Sequence, residues 1–447
     1  MGIHDLIEWS DRNRFMVAVG LIVLSIAGVW ALRTIPLDAI PDLSDTQVIV
    51  FTEWPGRSPD LVEDQITYPI VTALIAAPNV KVARGVSFFG LSFVYVLFED
   101  GTDIYWARSR VLEYMSKVQG QLPDGVTPTL GPDATGVGWG FQYVLEDTSG
   151  THTLAELRSF QDWYLRYWLE SVPGVAEVAP VGGYVRQYQV TVDPVRLLAH
   201  GIGMPQVVRA VQRANNDVGG RIVEMSGREY IVRGRGYVTQ ATDLEEVVLK
   251  VVDGVPVRVR DVGDVTLGPE IRRGAADWNG QGEVVGGIVV VRFGENVLDV
   301  IDRVKKRIEE LRPSLPEGVQ LRVAYDRSDL IHRSIDTLTQ KLIEEMIVVS
   351  LICIIFLWHL PSAFIALFTL PLAVLLSFLP MRLLGLSSNI MSLGGIAIAI
   401  GAMVDAAIVM VENAHKQIER DPDRPRREVV IAAAKEVGRP LFFSLVI

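Results

Sequence analysis

One carboxylic acid, Asp405, stands inside a long apolar run, and its position is the strongest chemical signal in the sequence. Residues 383–404 carry no charge, and the run continues through Asp405 to Val411. An unpaired carboxylate inside a bilayer costs about 2.5–3.5 kcal/mol or more, so it must face protein or water, find a cation, or bind a proton. A cation partner and a proton relay are compatible, because pairing can be exchanged for protonation. No basic side chain lies nearby: Arg382 is at the far end of the run. The same run holds Met391, Met403 and Met410. Thioethers bind soft cations such as Cu(I) and Ag(I), although methionine is also an ordinary core filler. At about 100° per residue, Met403 and Met410 share one helix face, and Met403 and Asp405 face opposite ways. Gly395, Ala399, Ala402 and Ala406 form a strip that lets a neighbouring helix approach closely, and alone it implies only packing.

Other chemistries lack their signatures. There is no Gly-x-x-x-x-Gly-Lys-[Ser/Thr] phosphate loop, so nucleotide-driven pumping has no support within this chain. His4, His152, His200, His332, His359 and His415 are scattered, without paired metal-ligand spacing. The single cysteine, Cys353, excludes a disulfide framework and a cysteine zinc site within one chain. The net charge of −11, without a long basic tract, argues against nucleic acid.

The elements that must hold Asp405 follow from hydropathy. The chain is 49% hydrophobic, but the excess sits near the N-terminus and beyond about residue 342. Residues 1–14 form an N-terminal cytoplasmic segment. Residues 15–32 form a first span between Arg14 and Arg33; Thr34-Ile-Pro follows rather than a small-residue cleavage site, which favours a retained helix over a signal peptide. A second helix runs over 329–358. Its charge-free part, 346–358, spans only ~20 Å at ~1.5 Å per residue, so Glu344 and Glu345 fall at the membrane boundary. His359 opens a tight turn, 360–381 is a third span, and 389–411 is a fourth. Residues 412–438 hold a cytoplasmic amphipathic helix, and 439–447 start a fifth span. An apolar helix that stops after one or two turns leads us to expect a fragment of a longer protein. Basic residues flank the first span (Arg12, Arg14) and follow the fourth (Lys416, Arg420, Arg424), so both ends are cytoplasmic and residues 33–328 lie outside.

That outer region alternates strand and helix patterns. A strand at 46–54 leads to a helix opened by Ser58, with Leu61, Ile66, Ile70 and Leu74 on its apolar side. A hairpin over 80–98 turns at Gly90, and a helix at 103–119 presents Trp106, Val111, Tyr114, Met115 and Val118. The pattern repeats: strand 140–145, a helix from the Thr153/Glu156 capping box to 171, strand 175–181 turned by Gly182-Gly183 into 185–192, then strand 284–293, helix 297–311 and strand 319–325. Two strand-helix-strand-strand-helix-strand runs predict split βαβ, ferredoxin-like units, at 33–133 and at 134–180 with 274–328. The second carries an inserted α+β lobe at 181–273, a docking arm or a lid. The expected fold class is an α+β membrane protein: a transmembrane helical bundle with this large outer region.

The run Gly401-Ala-Met-Val-Asp-Ala-Ala-Ile-Val-Met-Val-Glu-Asn-Ala-His-Lys, preceded by Asn389-Ile-Met-Ser-Leu-Gly-Gly-Ile-Ala-Ile-Ala-Ile, resembles the heavy-metal efflux branch of the resistance-nodulation-division (RND) pumps, its copper/silver exporters above all. Phe98-Glu-Asp-Gly-Thr-Asp-Ile-Tyr-Trp-Ala-Arg-Ser-Arg-Val-Leu-Glu and Leu130-Gly-Pro-Asp-Ala-Thr-Gly-Val-Gly-Trp agree. The resemblance spans nearly the whole chain. It implies a secondary active transporter, not an enzyme: a homotrimer in the cell inner membrane with two porter lobes and a docking lobe outside. It also implies a periplasmic adaptor and an outer-membrane channel as partners, and no cofactor besides a transported cation, Cu(I) or Ag(I). Asp405 falls on the family's proton-relay aspartate, and Met391, Met403 and Met410 on its membrane metal-relay methionines. One departure is Ile271, in Gly268-Pro-Glu-Ile-Arg-Arg-Gly, where the family carries a relay methionine; isoleucine cannot ligate metal. The alternatives are a divalent-metal (zinc, cobalt, nickel) exporter and a non-metal transport, sensing or protein-export role.

Overall fold

The structure, a computed structural model, describes residues 2–272, 274–357 and 360–446. The turn expected at His359 and the end of the second span at Trp358 lie outside the described residues, as does Arg273 at the lobe boundary. The chain is α+β. Helix α1 (Ile3–Arg12) and helix α2 (Arg14–Thr34) lead into the first sheet.

In the first unit β1 (Gln47–Glu53) alternates buried and half-buried residues, as a strand covered on one face must. It is followed by a helix over 59–74 (α3), β2 (Val80–Phe88), β3 (Leu91–Phe98), α4 (Ile104–Val118) and the short β4 (Thr129–Leu130). The sheet order is β2-β3-β1-β4. Ile66, Ile70 and Leu74 of α3 pack with Val94, Val96 and Phe98, and with Ala107, Val111 and Met115 of α4. Two expected core residues face outward. Leu61 is 39% exposed and Trp106 38% exposed; Val62 and Ala107 are buried instead. Each replacement lies four residues before the next core position, and four, not five, returns to the same helix face.

The second unit begins with β5 (Trp139–Asp147), a helix over 154–170 (α5) and β6 (Val175–Gly182). The capping box that opens α5 is formed: the Glu156 amide donates to Thr153 Oγ1, and the Thr153 amide to Glu156 Oε2. Gly182-Gly183 does not make the expected hairpin. Both glycines have positive φ (72° and 59°) and turn the chain out of the sheet. The next strand, β7 (Arg186–Val192), pairs not with β6 but with a strand at the far end of the insertion. The inserted lobe contains the exposed ribbon β8 (Val218–Met225) and β9 (Arg228–Gly234), the pair β10 (Val248–Val252) and β11 (Val255–Arg258), and β12 (Gly263–Pro269), β7's partner. Its own core gathers Ile202, Val207, Leu244, Val259 and Val262. The chain then returns to the sheet as β13 (Val285–Val291), α6 (Val297–Leu311) and β14 (Val319–Asp326), giving the order β14-β5-β13-β6.

Four long helices follow: α7 (Ser328–Leu357), α8 (Leu360–Leu383), α9 (Ile390–Arg420) and α10 (Arg426–Val446). Ala31 and Ile35, Leu370, Val374 and Phe378, and Leu393, Ile396 and Ile400 form a shared apolar cluster between α2, α8 and α9, with Leu338, Leu342 and Met346 of α7 packed against it. Among the described residues, α2 and α9 are long and apolar enough to cross a membrane. Two boundaries differ from the hydropathy reading. Residues 412–420 continue α9, and one helix, α10, runs from the amphipathic segment through Pro440 into the apolar end. Hydropathy changes along these stretches while the backbone hydrogen bonding does not. The N-terminal segment is itself helical and docks on α10: Arg427 pairs with Asp11 at 2.6 Å and Lys435 pairs with Glu8.

The outer sheets and the helices meet at one junction. The Asp38 amide donates to the Ser388 carbonyl, the Ser388 amide to the Pro36 carbonyl, and the Ile390 amide to the Ala39 carbonyl. Arg327, just before α7, is buried; its Nη1 lies 3.4 Å from Asp38 Oδ1 and its Nη2 donates to the Trp139 carbonyl at 3.1 Å. Its amide donates to the Gly140 carbonyl. The start of α7, the start of α9 and strand β5 are thus tied through the segment after α2.

Candidate functional site

Helix α9 carries all four residues singled out by the sequence. Its start is fixed by Asn389, whose side chain accepts hydrogen bonds from the Met391 and Ser392 amides, each at 3.0 Å. Ser392 Oγ accepts from the Asn389 amide at 2.8 Å, closing a capping box. Asn389 and Ser388 are buried. The helix then runs without proline to Arg420.

Asp405 is exposed on the outer face of α9. Among the described residues it has no hydrogen-bond or ion-pair partner. Met403 lies on the opposite side and packs against the apolar cluster of α2, α8 and α9. Met410 is half-buried, and at about 100° per residue it shares the Met403 face. Met391 does not: it is 71% exposed, and it sits within about 40° of Asp405 on the wheel, some 21 Å up the helix axis. The structure therefore divides the three methionines between two faces and brings no pair of them together with Asp405. The small-residue strip is open as well, since Gly395, Ala399 and Ala402 are exposed.

Among the described residues no group of three or more His, Cys, Asp or Glu side chains could hold a metal ion. Ile271 is 70% exposed beyond the end of β12.

A further carboxylate belongs to this region. Glu344 and Glu345 are adjacent in sequence but not in environment. Glu344 faces outward and pairs with Lys341 at 2.7 Å and Gln340 at 2.8 Å. Glu345 is turned inward: its Oε2 is buried and has no hydrogen-bond partner among the described residues. Sequence reasoning assigned both to the membrane boundary. The missed signal is the spacing Ser334, Thr337, Lys341, Glu345, polar residues at helical intervals along one side of the helix.

Chemically, α9 offers a carboxylate that can take and release a proton on one face. On the other it offers thioethers suited to a soft monovalent cation.

The model of the AcrB/AcrD/AcrF family matches residues 6–447. The chain is 53% identical over 456 residues to the cation efflux system protein CusA of Escherichia coli (strain K12), covering 99% of this chain and 44% of that protein. It is 36% identical to the cobalt-zinc-cadmium resistance protein CzcA of Cupriavidus metallidurans, covering 99% of this chain and 43% of that one. A crystal structure of a heavy metal efflux pump superposes with a TM-score of 0.82 at 32% identity, covering 98% of this chain and 43% of the other. The chain thus spans less than half the length of the relatives it matches.

Proposed function

We propose that this chain, which belongs to the AcrB/AcrD/AcrF family of RND transporters, carries the proton-binding part of a heavy-metal efflux transporter of the cell inner membrane, with Cu(I) or Ag(I) as cargo. The observation that carries the reading is Asp405: an ionisable side chain on a long apolar helix, with no partner among the described residues. At lipid depth such a group is costly when charged, so its charge state responds to whatever helix or water faces it. A proton taken up at Asp405 removes the charge and its cost, and release restores both; that difference drives the cycle. The lower identity to the cobalt-zinc-cadmium resistance protein than to the cation efflux protein CusA favours a cargo other than those divalent metals, and the thioethers of α9 suit a soft monovalent one. Met403 and Met410 supply thioethers on the cluster side of α9, and Met391 supplies one on the Asp405 side.

The remaining parts take their places in this reading. The strand orders β2-β3-β1-β4 and β14-β5-β13-β6 support two ferredoxin-like porter units, with the insertion as a docking lobe. Helices α2, α7, α8 and α9 serve as membrane spans, and α10 begins another. The working assembly is a homotrimer joined by a periplasmic adaptor and an outer-membrane channel.

The test uses the full-length transporter in proteoliposomes. Asp405→Asn should abolish metal-dependent proton flux while the trimer still assembles; unchanged flux refutes the proposal. Flux driven by Zn(II) but not by Ag(I) reassigns the cargo.

A further inference from the structure

Between α7 and α9 lies an open groove of about 330 Å³, lined from α7 by Ser334, Thr337 and Lys341 among others and from α9 by Ile390, Leu393, Gly394 and Ala397. Past Ile390 and Leu393 the α9 side carries only Gly394 and Ala397, which leaves space beside the polar stripe of α7. One turn beyond Lys341 the stripe ends at Glu345. On the helical wheel Glu345 lies within about 40° of Lys341 and about 20° of Leu338, both groove-lining, so it faces α9. Among the described residues its buried Oε2 has no hydrogen-bond partner.

The register places Asp405 next along the path. Both helices run in the same direction in the proposed membrane reading. Lys341 and Ala397 both line the groove; one turn further along each helix come Glu345 and Gly401, and Asp405 is one turn beyond Gly401, about 6 Å down the axis. Among the described residues, Arg333 and Lys341 line the groove from α7, Glu344 is paired with Lys341, and α9 contributes Asp405; Arg382 of α8 lies over the Trp30 ring of α2 instead.

We infer that Glu345 is a second proton-binding site, the relay through which protons entering the α7–α9 groove from the outer side reach Asp405. A proton from groove water converts the Glu345 carboxylate to the neutral acid; transfer to Asp405 restores the carboxylate at 345 and neutralises the one at 405. Lys341, one turn above, is held in its ion pair with Glu344, and Gly394 and Ala397 of α9 leave space beside the stripe.

The inference rests on the proton-driven reading, and the test separates the two. Metal-dependent proton flux is measured across external pH in proteoliposomes of the full-length transporter carrying Glu345→Gln, Glu345→Asp, Glu344→Gln or Asp405→Asn. Glu345→Gln should lower flux by about tenfold or more and shift the pH profile, the scale on which a lost proton-transfer group acts. Glu345→Asp should restore much of the flux, and Glu344→Gln should leave it unchanged. Full flux with an unshifted profile in Glu345→Gln, beside a dead Asp405→Asn, overturns the role of Glu345 alone; full flux in Asp405→Asn overturns the proton-driven reading itself. If Glu345→Gln does not assemble, difference infrared spectroscopy of Asp405→Asn decides. A pH-dependent carboxyl band should remain and should move when Glu345→Asp is added; absence of that band overturns the inference.

Discussion

The junction between Asp38 and Arg327 should depend on the guanidinium far more than on the carboxylate charge. Arg327 contributes two side-chain contacts, to Asp38 and to the Trp139 carbonyl, and its side chain is 6% exposed. Removing one partner of a buried ion pair costs about 3–5 kcal/mol. Arg327→Met belongs at the low end, about 3 kcal/mol, because the stranded Asp38 can take up a proton. Burial already pushes the Asp38 carboxyl above the usual carboxylate range, against the pull of Arg327. Asp38→Asn keeps an oxygen that can accept from the Ala39 amide, as Asp38 Oδ1 does at 2.6 Å, and it relieves the desolvation. Its net cost should be about 1 kcal/mol or less, the difference between a charged and a neutral hydrogen bond. Hydrogen exchange of the full-length protein reads this locally over residues 36–40 and 386–392. At about 1.4 kcal/mol per decade, Arg327→Met should speed exchange there on the order of 100-fold, and Asp38→Asn less than about tenfold. The sign with pH follows from the raised value. The stabilisation from Asp38's titration is full below the unfolded value of 3.8 and is lost as pH rises through the higher folded value. Asp38→Asn should remove that slope. Equal opening in the two variants, or greater opening in Asp38→Asn, would refute the reasoning, because the charge pair and not the guanidinium fork would then hold the junction.

Three further outcomes are expected. Met403→Leu and Met410→Leu are near volume-conserving and should cost less than about 1.5 kcal/mol of stability, yet each should depress Ag(I) transport by the full-length protein several-fold; wild-type transport in both removes these thioethers from the path. Gly28→Ala should lower the melting midpoint of the detergent-solubilised transporter, since the new Cβ would lie 2.8 Å from Leu375 Cγ and 3.0 Å from the Leu375 carbonyl oxygen, an overpacking worth about 1–3 kcal/mol; Gly20→Ala, which meets nothing within 4 Å, is the control. Asp147 is held down to about 2, first by the Ser149 hydroxyl and then by the His152 amide, so the order of the 147–153 turn is fully supported above 3.8 and lost as pH falls through about 2; Asp147→Ala should make protease nicking of that turn insensitive to this acid window.

Local patterns were legible where one residue type governs one geometry. Thr153 and Glu156 announce a helix start because their side chains can satisfy each other's backbone amides, and the structure forms that box. Helix 297–311 reads directly from Val297, Val300, Ile301, Val304 and Ile308, all buried. Phase was less secure. Leu61 and Trp106 are apolar and near enough to the core positions to be taken for them, but a five-residue step leaves the face that Val62 and Ala107 hold. Partnership was least legible. Gly182-Gly183 signals a turn, and nothing local says that β7 must wait for β12, about 70 residues later in the chain, to find its pair. Glu344 and Glu345 show the same limit at the candidate site. Composition treats them as one interfacial pair, whereas a rotation of about 100° between neighbours sends one to Lys341 and the other inward.

On the proton-driven reading, Asp405 acts on the outer region through α9, a helix suited to transmit displacement along its axis. It has no internal proline. Its start is locked by the Asn389–Ser392 box and by the Ile390–Ala39 hydrogen bond. Its far end is held by Asn413, which donates to the Ala433 carbonyl and to Glu436 of α10, while α10 is clamped to α1 through Arg427–Asp11 and Lys435–Glu8. A change of charge at Asp405 that shifts α9 against α7 therefore meets resistance at both ends. At the upper end the load passes through Ser388 and Asp38 to Arg327, and from Arg327 to the Trp139 and Gly140 carbonyls of β5. That strand lies inside the second sheet, between β14 and β13, so it cannot shift alone. On this reading proton binding in the helices moves the second outer unit as a body. Uncoupling should then be possible without touching a proton site: Arg327→Met should leave proton binding at Asp405 intact, measured by its infrared carboxyl band, while metal transport falls. Loss of both together would place the coupling elsewhere.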